Sequence, residues 1–319
     1  MQKWLIEAFD APMRLDDTPP SPPRQGEALL RIHACSLNFA DLLLQKGSYQ
    51  QTPPLPFTPG LEIAGEVLAL GPDTQGPAIG SRVACYCGHG GMASMGNFKV
   101  NSLIPIPDSM PYDQASAFLI AYGTSHMALS YKARLQAGET LFVSGAAGGV
   151  GLTAVEIGHR MGARVIACAR GADKLATAQA AGADHLLDAD DPDLKAQLKA
   201  LGGIDVAYDT VGGPIFDAAL RAAKPDARLL AIGFAGGTVP QIPANILLVK
   251  NVTVIGFWWG AYAETKPQAM RDSLETLLGW YQDGLLRPHI SARYPLSQAP
   301  QALAALKSRQ ASGKLVLIP

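Results

Sequence analysis

The sequence predicts an α/β protein in which a β-rich unit precedes a doubly wound parallel sheet. Short strands separated by glycine- and proline-rich turns fill residues 1–118, as in a distorted barrel or sandwich. Beyond that point, apolar runs alternate with segments of helical period, which is typical of parallel βα units. We therefore assign residues 119–263 to a parallel-sheet domain, and residues 1–118 together with 264–319 to a β-rich domain.

Composition and charge exclude several classes of protein. The chain has 319 residues, of which 48% are hydrophobic and 17% charged, and this fits a globular protein of two domains. Its net charge of −1 gives no electrostatic reason to expect nucleic acid or a membrane as a partner. No apolar run is long enough to span a membrane, and Glu7 and Asp10 do not fit a signal peptide. Four cysteines suggest no disulfide framework, so we expect a cytoplasmic protein.

In the β-rich domain the sequence predicts four early strands and one helix. The strands fall at residues 3–9, 27–35, 60–67 and 80–87. The helix covers residues 38–45 and stops at Gly47, while the prolines between residues 19 and 23 form a stiff connection that a central strand would not tolerate. A final strand at residues 314–318 is expected to return to this domain, because β pairing does not require neighbours in sequence.

The parallel-sheet domain follows a helical segment at residues 112–134. Its six strands are predicted at residues 141–143, 164–169, 185–187, 205–211, 228–232 and 251–257. The helices between them begin near residue 150 and then cover residues 173–181, 192–201 and 215–222. Two further helices, at residues 267–283 and 303–309, come after the sheet.

The glycine cluster between the first strand and first helix of this sheet predicts a dinucleotide site. Gly145 allows a sharp turn out of the strand, and Gly151 allows the helix to pack close to the sheet. The helix N-terminus then offers N–H groups and a positive dipole end to a pyrophosphate. A tight structural turn is the alternative explanation, but the flanking strand and helix favour a cofactor. The residues expected to line the cofactor here are Ala147, Gly148, Gly149, Val150 and Gly151.

The end of the second strand of this sheet indicates which dinucleotide is bound. An NAD site usually has an acidic residue at this position, to bond the ribose 2′-hydroxyl. Here the strand ends before Arg170, and Lys174 lies within reach, so two cations can pair with a 2′-phosphate. Ordinary solvated charge is the alternative for both, and Asp173 fits the first turn of the next helix. We therefore expect NADPH rather than NADH.

Together these segments resemble the medium-chain dehydrogenase/reductase superfamily, and within it the zinc-free quinone oxidoreductases, over nearly the full length. The resemblance rests on motifs in the family's order and spacing: Asn38-Phe-Ala-Asp41 with Gly47-Ser-Tyr49, Pro59-Gly-Leu-Glu-Ile-Ala-Gly65, Gly80-Ser-Arg-Val83, Ala146-Ala-Gly-Gly-Val-Gly151, Gly182-Ala-Asp184, Asp209-Thr-Val-Gly-Gly213 and Gly313-Lys-Leu-Val-Leu317. It implies a GroES-like barrel domain, a Rossmann domain and a cleft between them. It also implies a homodimer joined through the Rossmann sheets, with the sixth strand at the edge.

Departures from the zinc-dependent members of that superfamily indicate that no catalytic metal is bound. Those enzymes carry a cysteine where this chain has Asn38 and a histidine where it has Leu61, and neither asparagine nor leucine is a good zinc ligand. Of their four-cysteine structural lobe, Cys85, Cys87 and His89 remain, and three ligands without a fourth make a poor metal site. We expect these three to be packed residues and a loop histidine.

Without a Lewis acid, hydride addition to a conjugated acceptor becomes easier than oxidation of a simple alcohol. The protein must then offer hydrogen bonds to the developing oxyanion. The resemblance implies that Asn38 and Tyr49 are neutral hydrogen-bond donors in the region of the active site. It also implies that Asp41 orients them or relays a proton. Each also has a structural alternative: Asn38 as a helix cap, Asp41 as a first-turn residue and Tyr49 as a half-buried loop aromatic.

Other cofactor contacts follow from the resemblance alone. Thr124 matches the position that meets the nicotinamide end, and Gly233 with Phe234 follows the fifth strand, where backbone groups would hold the carboxamide. Phe257 follows the sixth strand and is placed with the cofactor, while Trp258 and Trp259 either wall the substrate cleft or stack at the dimer contact. Lys314 matches a late lysine near the cofactor, with a plain surface lysine as the alternative.

The leading hypothesis is an oxidoreductase that transfers hydride from NADPH to a small-molecule quinone or α,β-unsaturated carbonyl. A reductase of enoyl thioesters such as acryloyl-CoA is a second hypothesis, although the sequence shows no cluster of Lys and Arg for the nucleotide of the thioester. A third is a protein that binds NADPH in a structural or sensing role without turning over a substrate.

Overall fold

The computed structural model describes residues 1–309 and 311–319. They form two compact units, the first of Met1–Ile120 with Leu278–Pro319 and the second of Ala121–Leu277. The first boundary falls at residue 120 rather than 118, and the second falls at residue 278 rather than 264. Residues 264–277 therefore belong to the second unit instead of the first. There the Ser273 hydroxyl lies 2.7 Å from Nδ1 of His126, at the end of a helix of the same unit.

The strands of the described residues are β1 (Lys3–Leu5), β2 (Arg14–Asp16), β3 (Glu27–Ser36), β4 (Glu62–Leu70), β5 (Arg82–Tyr86), β6 (Met95–Lys99), β7 (Leu103–Pro105), β8 (Thr140–Ser144), β9 (Arg164–Ala169), β10 (His185–Asp188), β11 (Ile204–Asp209), β12 (Ala223–Ala231), β13 (Thr253–Gly256), β14 (Ile290–Pro295) and β15 (Lys314–Ile318).

The α-helices of the described residues are α1 (Phe39–Gln45), α2 (Tyr112–Ser116), α3 (Leu119–His126), α4 (Gly149–Arg160), α5 (Ala172–Ala180), α6 (Leu194–Ala200), α7 (Gly213–Ala222), α8 (Ala244–Lys250), α9 (Tyr262–Thr265), α10 (Pro267–Gln282) and α11 (Ala299–Lys307). A π-helical segment, Met127–Lys132, continues α3.

The first unit is built on a seven-stranded sheet of order β14-β15-β3-β4-β5-β7, with β6 also paired to β3. Its central strand β3 alternates buried and less buried residues along most of its length, as expected when one face of a strand covers a core. The last strand, β15, pairs antiparallel with β3, so the predicted return of the chain to this unit is confirmed. This pairing brings the start of β15 towards the end of β3.

The second unit is a six-stranded sheet of order β10-β9-β8-β11-β12-β13 in which every pairing is parallel. All five residues of β8 are buried, as are five of the six in β9, which fits strands covered on both faces by helices. The chain order reverses between β8 and β11, and ligands of such sheets bind at the carboxyl ends of the strands near this reversal. The predicted doubly wound α/β fold is therefore confirmed, with the sixth strand at the sheet edge.

Four of the described strands and two of the described helices were not predicted from the sequence. The strands are β2, β6, β7 and β14, and the helices are α8 and α9. Three of these strands have five or fewer residues. The fourth, β14, lies at the edge of its sheet, and its residues alternate between half-buried and exposed. None of the described helices is both long enough and apolar enough to cross a lipid bilayer.

Candidate functional site

The start of α1 places Asn38 and Asp41 side by side. Asn38 is the N-cap residue, and Asp41 in the first turn accepts its backbone N–H at 2.8 Å, as in a capping box. The second oxygen of Asp41 accepts the N–H of Gly60 at 3.1 Å, which ties the helix to the chain segment leading into β4. Asp41 is almost completely buried, and burial raises the pKa of its carboxyl to about 7, although these two N–H donors oppose the shift.

A buried polar cluster surrounds the Asn38 side chain. Lys314, the first residue of β15, donates from Nζ to Asn38 Oδ1 at 2.7 Å and to Glu62 Oε1 at 2.8 Å. Asn38 in turn donates from Nδ2 to Glu62 Oε1 at 3.0 Å. Because an ammonium only donates and a carboxylate only accepts, this network fixes which end of the amide is oxygen and which is nitrogen. We call Asn38, Glu62 and Lys314 the polar triad.

Glu62 is the centre of the polar triad and is fully buried. Besides its two triad partners it accepts the Ser36 hydroxyl at 2.5 Å and the backbone N–H of Ile120 at 3.0 Å. Four donors, one of them charged, compensate the removal of this carboxylate from water. Glu62 is not among the site residues predicted from the sequence, although a glutamate among the apolar residues that begin β4 is a usable signal.

Lys314 lies inside this cluster rather than on the surface, since only 6% of the residue is exposed. The alternative of a plain surface lysine is therefore wrong. Its contact with cofactor stays a prediction, but its contact with Asn38 is now clear. A fixed ammonium 2.7 Å from the only oxygen of that amide also opposes a metal cation there, since like charges repel.

The three residues considered as remnants of a metal site make other contacts. The Cys85 thiol lies 3.2 Å from the Ser102 hydroxyl, and the Cys87 thiol donates to the Gly60 carbonyl at 3.4 Å. The His89 ring makes a T-shaped contact with the Phe57 ring, and burial lowers the pKa of His89. Within residues 1–309 and 311–319, no three or more His, Cys, Asp or Glu side chains are arranged to hold a metal ion.

Tyr49 occupies the loop after α1 and is half-buried. It packs on a small apolar cluster formed by Ile6, Leu44, Phe57 and Leu61. Leu61, at the position where zinc enzymes carry a histidine, is thus a core residue. The structure therefore supports the packing alternative for Tyr49 and leaves its contact with substrate as a prediction.

The glycine turn of the second unit has the shape that a dinucleotide needs. Gly145 has φ of +61°, and a Cβ atom on Gly151 would press against the Gly145 carbonyl, so both positions require glycine. Gly148 is the exposed N-cap of the twelve-residue helix α4, and no side chain of the described residues caps this helix. The first N–H groups of α4 therefore remain for an anionic ligand. Val150 is half-buried beside them, whereas Ala147 is buried and can contribute only its backbone.

Asp209, at the end of β11, makes hydrogen bonds with residues beside this turn. It is buried, accepts the Ser144 hydroxyl, and receives the backbone N–H of Gly212 at 2.9 Å. Burial raises the pKa of the Asp209 carboxyl, and these hydrogen bonds oppose the shift. Thr210 completes the link, since its hydroxyl donates to the Ser144 carbonyl at 2.9 Å. The sequence motif at residues 209–213 therefore joins the carboxyl ends of β8 and β11.

The predicted nicotinamide-end residues lie on three segments of the second unit. Thr124 is buried in α3, next to Gly123, where a Cβ atom would lie 2.8 Å from the Trp259 indole ring. Trp259 is thus a buried residue packed on α3, and its predicted role, at the substrate cleft or at a dimer contact, stays a prediction. Phe257 is also buried, with its ring against that of Tyr262 at 5.3 Å between centroids.

The loop after β12 carries the two other predicted contacts. The Gly233 backbone N–H donates to the Asp209 carbonyl at 3.3 Å, which places this loop beside the end of β11. Phe234 is exposed, and its ring lies 3.2 Å from the position of a Cβ atom on Gly212. The backbone of this loop therefore lies at the carboxyl ends of the parallel strands, as the glycine turn does.

Arg170 directly follows β9, as predicted, and is largely exposed. Its Nε contacts both carboxylate oxygens of Asp190, at 2.9 and 3.0 Å. Lys174 is half-buried in the first turn of α5. Asp190 was not predicted as a partner of Arg170, because it lies 20 positions further along the chain and only the pairing of β10 with β9 brings it near.

Comparisons with known proteins agree with this architecture. The family model described as "Alcohol dehydrogenase GroES-like domain" matches residues 24–108, and that described as "Zinc-binding dehydrogenase" matches residues 149–276. The quinone oxidoreductase-like protein 2 homolog of Nematostella vectensis is 39% identical over 298 residues, covering 92% of this chain and 81% of that protein. The quinone oxidoreductase-like protein 2 of Bos taurus is 36% identical and covers 98% and 91%, respectively.

Among solved structures, the quinone oxidoreductase of Thermus thermophilus, also solved as its complex with NADPH, is 30% identical with a TM-score of 0.89 over the whole of both chains. The fold, the glycine turn and these matches define a medium-chain dehydrogenase/reductase. Within that superfamily, this chain belongs to the zinc-free quinone oxidoreductase branch.

Proposed function

We propose that this protein is an oxidoreductase that transfers hydride from NADPH to a quinone or an α,β-unsaturated carbonyl compound. The observation that carries the proposal is the glycine turn at the carboxyl end of β8, which leads into the uncapped N-terminus of α4. Gly145, Gly148, Gly149, Val150 and Gly151 would hold the pyrophosphate there. The NADPH complex of the Thermus thermophilus relative supports the choice of cofactor.

Arg170 and Lys174 would hold the 2′-phosphate of the adenosine ribose, since a guanidinium and an ammonium both pair with phosphate oxygens. The backbone of Gly233 and Phe234, together with Thr124 and Phe257, would position the nicotinamide ring. When bound, NADPH supplies the hydride, and the remaining chemistry is the stabilisation of charge on the acceptor.

The polar triad gives Asn38 the properties of an oxyanion donor. Asn38 Nδ2 has two N–H groups, and Glu62 takes one of them, so we assign the second to the carbonyl oxygen of the acceptor. The Lys314 ammonium at Oδ1 polarises the amide and strengthens Nδ2 as a donor. Asp41 holds the backbone N–H of Asn38 and so positions the donor. The direct roles of Asn38, Asp41 and Tyr49 towards substrate are part of this proposal.

We further propose a cytoplasmic homodimer. The edge strand β13 pairs only with β12 among the described strands, and a second copy of the sheet would extend it. The nearby helix α8 exposes the side chains of Leu248 and Val249, which a dimer would cover. All four cysteines are free thiols, which fits a reducing compartment.

The experiment that tests the proposal is NADPH oxidation with a panel of quinones, short enones and acryloyl-CoA, with wild-type protein and Asn38→Ala. We expect turnover with at least one quinone or enone, and a loss of about a hundredfold to a thousandfold in kcat for Asn38→Ala, the scale of an oxyanion-hole donor. NADP⁺ affinity, measured by calorimetry, should stay unchanged in the variant. No turnover with any quinone or enone would refute the proposal, and activity with acryloyl-CoA alone would favour an enoyl thioester reductase.

A further inference from the structure

The Asp190 carboxylate lies at the place in the second unit where the 2′-phosphate of NADPH is expected to bind. Arg170 follows β9 and Asp190 follows β10, and these two strands are neighbours in the parallel sheet. Carboxyl ends of neighbouring parallel strands lie at one edge, so the two loops meet there. Arg170 Nε contacts both oxygens of Asp190, at 2.9 and 3.0 Å.

Asp188 fixes the position of this carboxylate. One of its oxygens accepts the backbone N–H of Asp190 at 2.9 Å, and the other accepts that of Gly171 at 3.4 Å. The last residue of β10 therefore ties together the two loops that carry Asp190 and Arg170. Asp190 is not a randomly placed surface acid, because its backbone is held beside the residue that follows Arg170.

The arginine expected to bind phosphate is thus already engaged by an acid. Arg170 and Asp190 expose 65% and 61% of their side chains, and an ion pair this exposed is weak. Arg170 can therefore leave Asp190 for a phosphate, which carries a charge of about −1.5 to −2 at neutral pH. After that exchange, the Asp190 carboxylate remains close to the phosphate and repels it.

We propose that Asp190 is a specificity-determining residue that limits the preference of this protein for NADPH over NADH. It does so by competing with the 2′-phosphate for Arg170 and by repelling that phosphate. The inference rests on the proposed function, because it takes the 2′-phosphate to bind beside Arg170. It also means that NADH, which lacks this phosphate, is insensitive to Asp190.

The test measures the dissociation constants of NADP⁺ and NAD⁺ by calorimetry, for wild-type protein, Asp190→Asn and Arg170→Ala. Asp193→Asn is the matched control, because Asp193 is an exposed N-cap residue of α6 that asparagine can replace, with the same loss of charge. We expect Asp190→Asn to tighten NADP⁺ about fivefold, the scale of one exposed charge interaction, and to change NAD⁺ less than about twofold. Arg170→Ala should weaken NADP⁺ about fivefold or more.

A second measurement uses salt. The gain from Asp190→Asn should largely disappear in about 0.5 M NaCl, because exposed charges are screened over a few ångströms at that ionic strength. An unchanged NADP⁺ constant in Asp190→Asn, or an equal gain in Asp193→Asn, would overturn the inference. Weaker NAD⁺ binding in Asp190→Asn would also overturn it, since the carboxylate would then hold a ribose hydroxyl. If wild-type protein binds neither coenzyme, the proposed function fails as well, and this outcome is distinct from the others.

Discussion

Replacing Lys314 with methionine removes the only cation of the polar triad while keeping a side chain of similar length. Two hydrogen bonds are lost, at 2.7 Å to Asn38 and at 2.8 Å to Glu62. Glu62, which is fully buried, keeps only its uncharged donors. Breaking a buried ion pair by removing one partner costs about 3–5 kcal/mol, so we expect this loss in the free energy of unfolding.

The assay is urea unfolding followed by tryptophan fluorescence and by circular dichroism, with comparison of midpoints and slopes. Lys307→Met is the matched control, because Lys307 is an exposed lysine of α11, and we expect it to cost less than about 0.5 kcal/mol. The double variant Lys314→Met with Glu62→Gln removes both charges. It should recover part of the loss, because neither buried group is then an unpaired charge. A cost for Lys314→Met no larger than that of Lys307→Met would refute this account of the triad, and so would strict additivity in the double variant.

Two further predictions follow from other buried groups. Burial raises the pKa of Asp41 to about 7, so the folded protein retains a proton that the unfolded chain releases near pH 4. The free energy of unfolding should therefore fall as pH rises from about 4 to about 7, by up to about 1.4 kcal/mol per pH unit. Asp41→Asn should flatten this slope, measured by urea unfolding at several pH values. An identical slope in the variant would contradict the raised pKa of Asp41. Gly151→Ala should cost about 1–3 kcal/mol and weaken NADP⁺ binding more than tenfold, because its Cβ atom presses on the backbone of Gly145. Gly279→Ala, where a Cβ atom would meet nothing within 4 Å, is the control and should not destabilise, and equal effects of the two changes would refute the steric argument.

The parallel sheet could be predicted because its signals are local. Buried strands such as β9 are continuous apolar runs, and its bounds agree with the prediction at residues 164–169. The glycine turn is equally local, since its strand, turn and helix are consecutive in sequence. By contrast, β2 has three residues, and α8 is an exposed apolar helix of seven residues, so neither has the periodicity that predicts an element.

The candidate site was only partly predictable, because its central contacts join distant residues. Lys314 and Asn38 are 276 positions apart, and only the pairing of β15 with β3 brings them together. Asp190 meets Arg170 for a similar reason, since β10 lies beside β9 in the sheet. Motifs thus identified residue types that suit the chemistry, while the tertiary fold decides their partners and so their charge environment.

The most direct test of the account is the oxidation of NADPH and of NADH, compared at the nicotinamide absorbance with a simple quinone and a short enone, with and without a chelator. We predict faster oxidation of NADPH and no change with chelator, because the Lys314 ammonium at Asn38 Oδ1 opposes the binding of a metal cation there. A preference for NADH would contradict the assignment of Arg170 and Lys174 to the 2′-phosphate. Loss of activity in chelator would contradict the metal-free mechanism. Cys85, Cys87 and His89 would then again be candidate metal ligands.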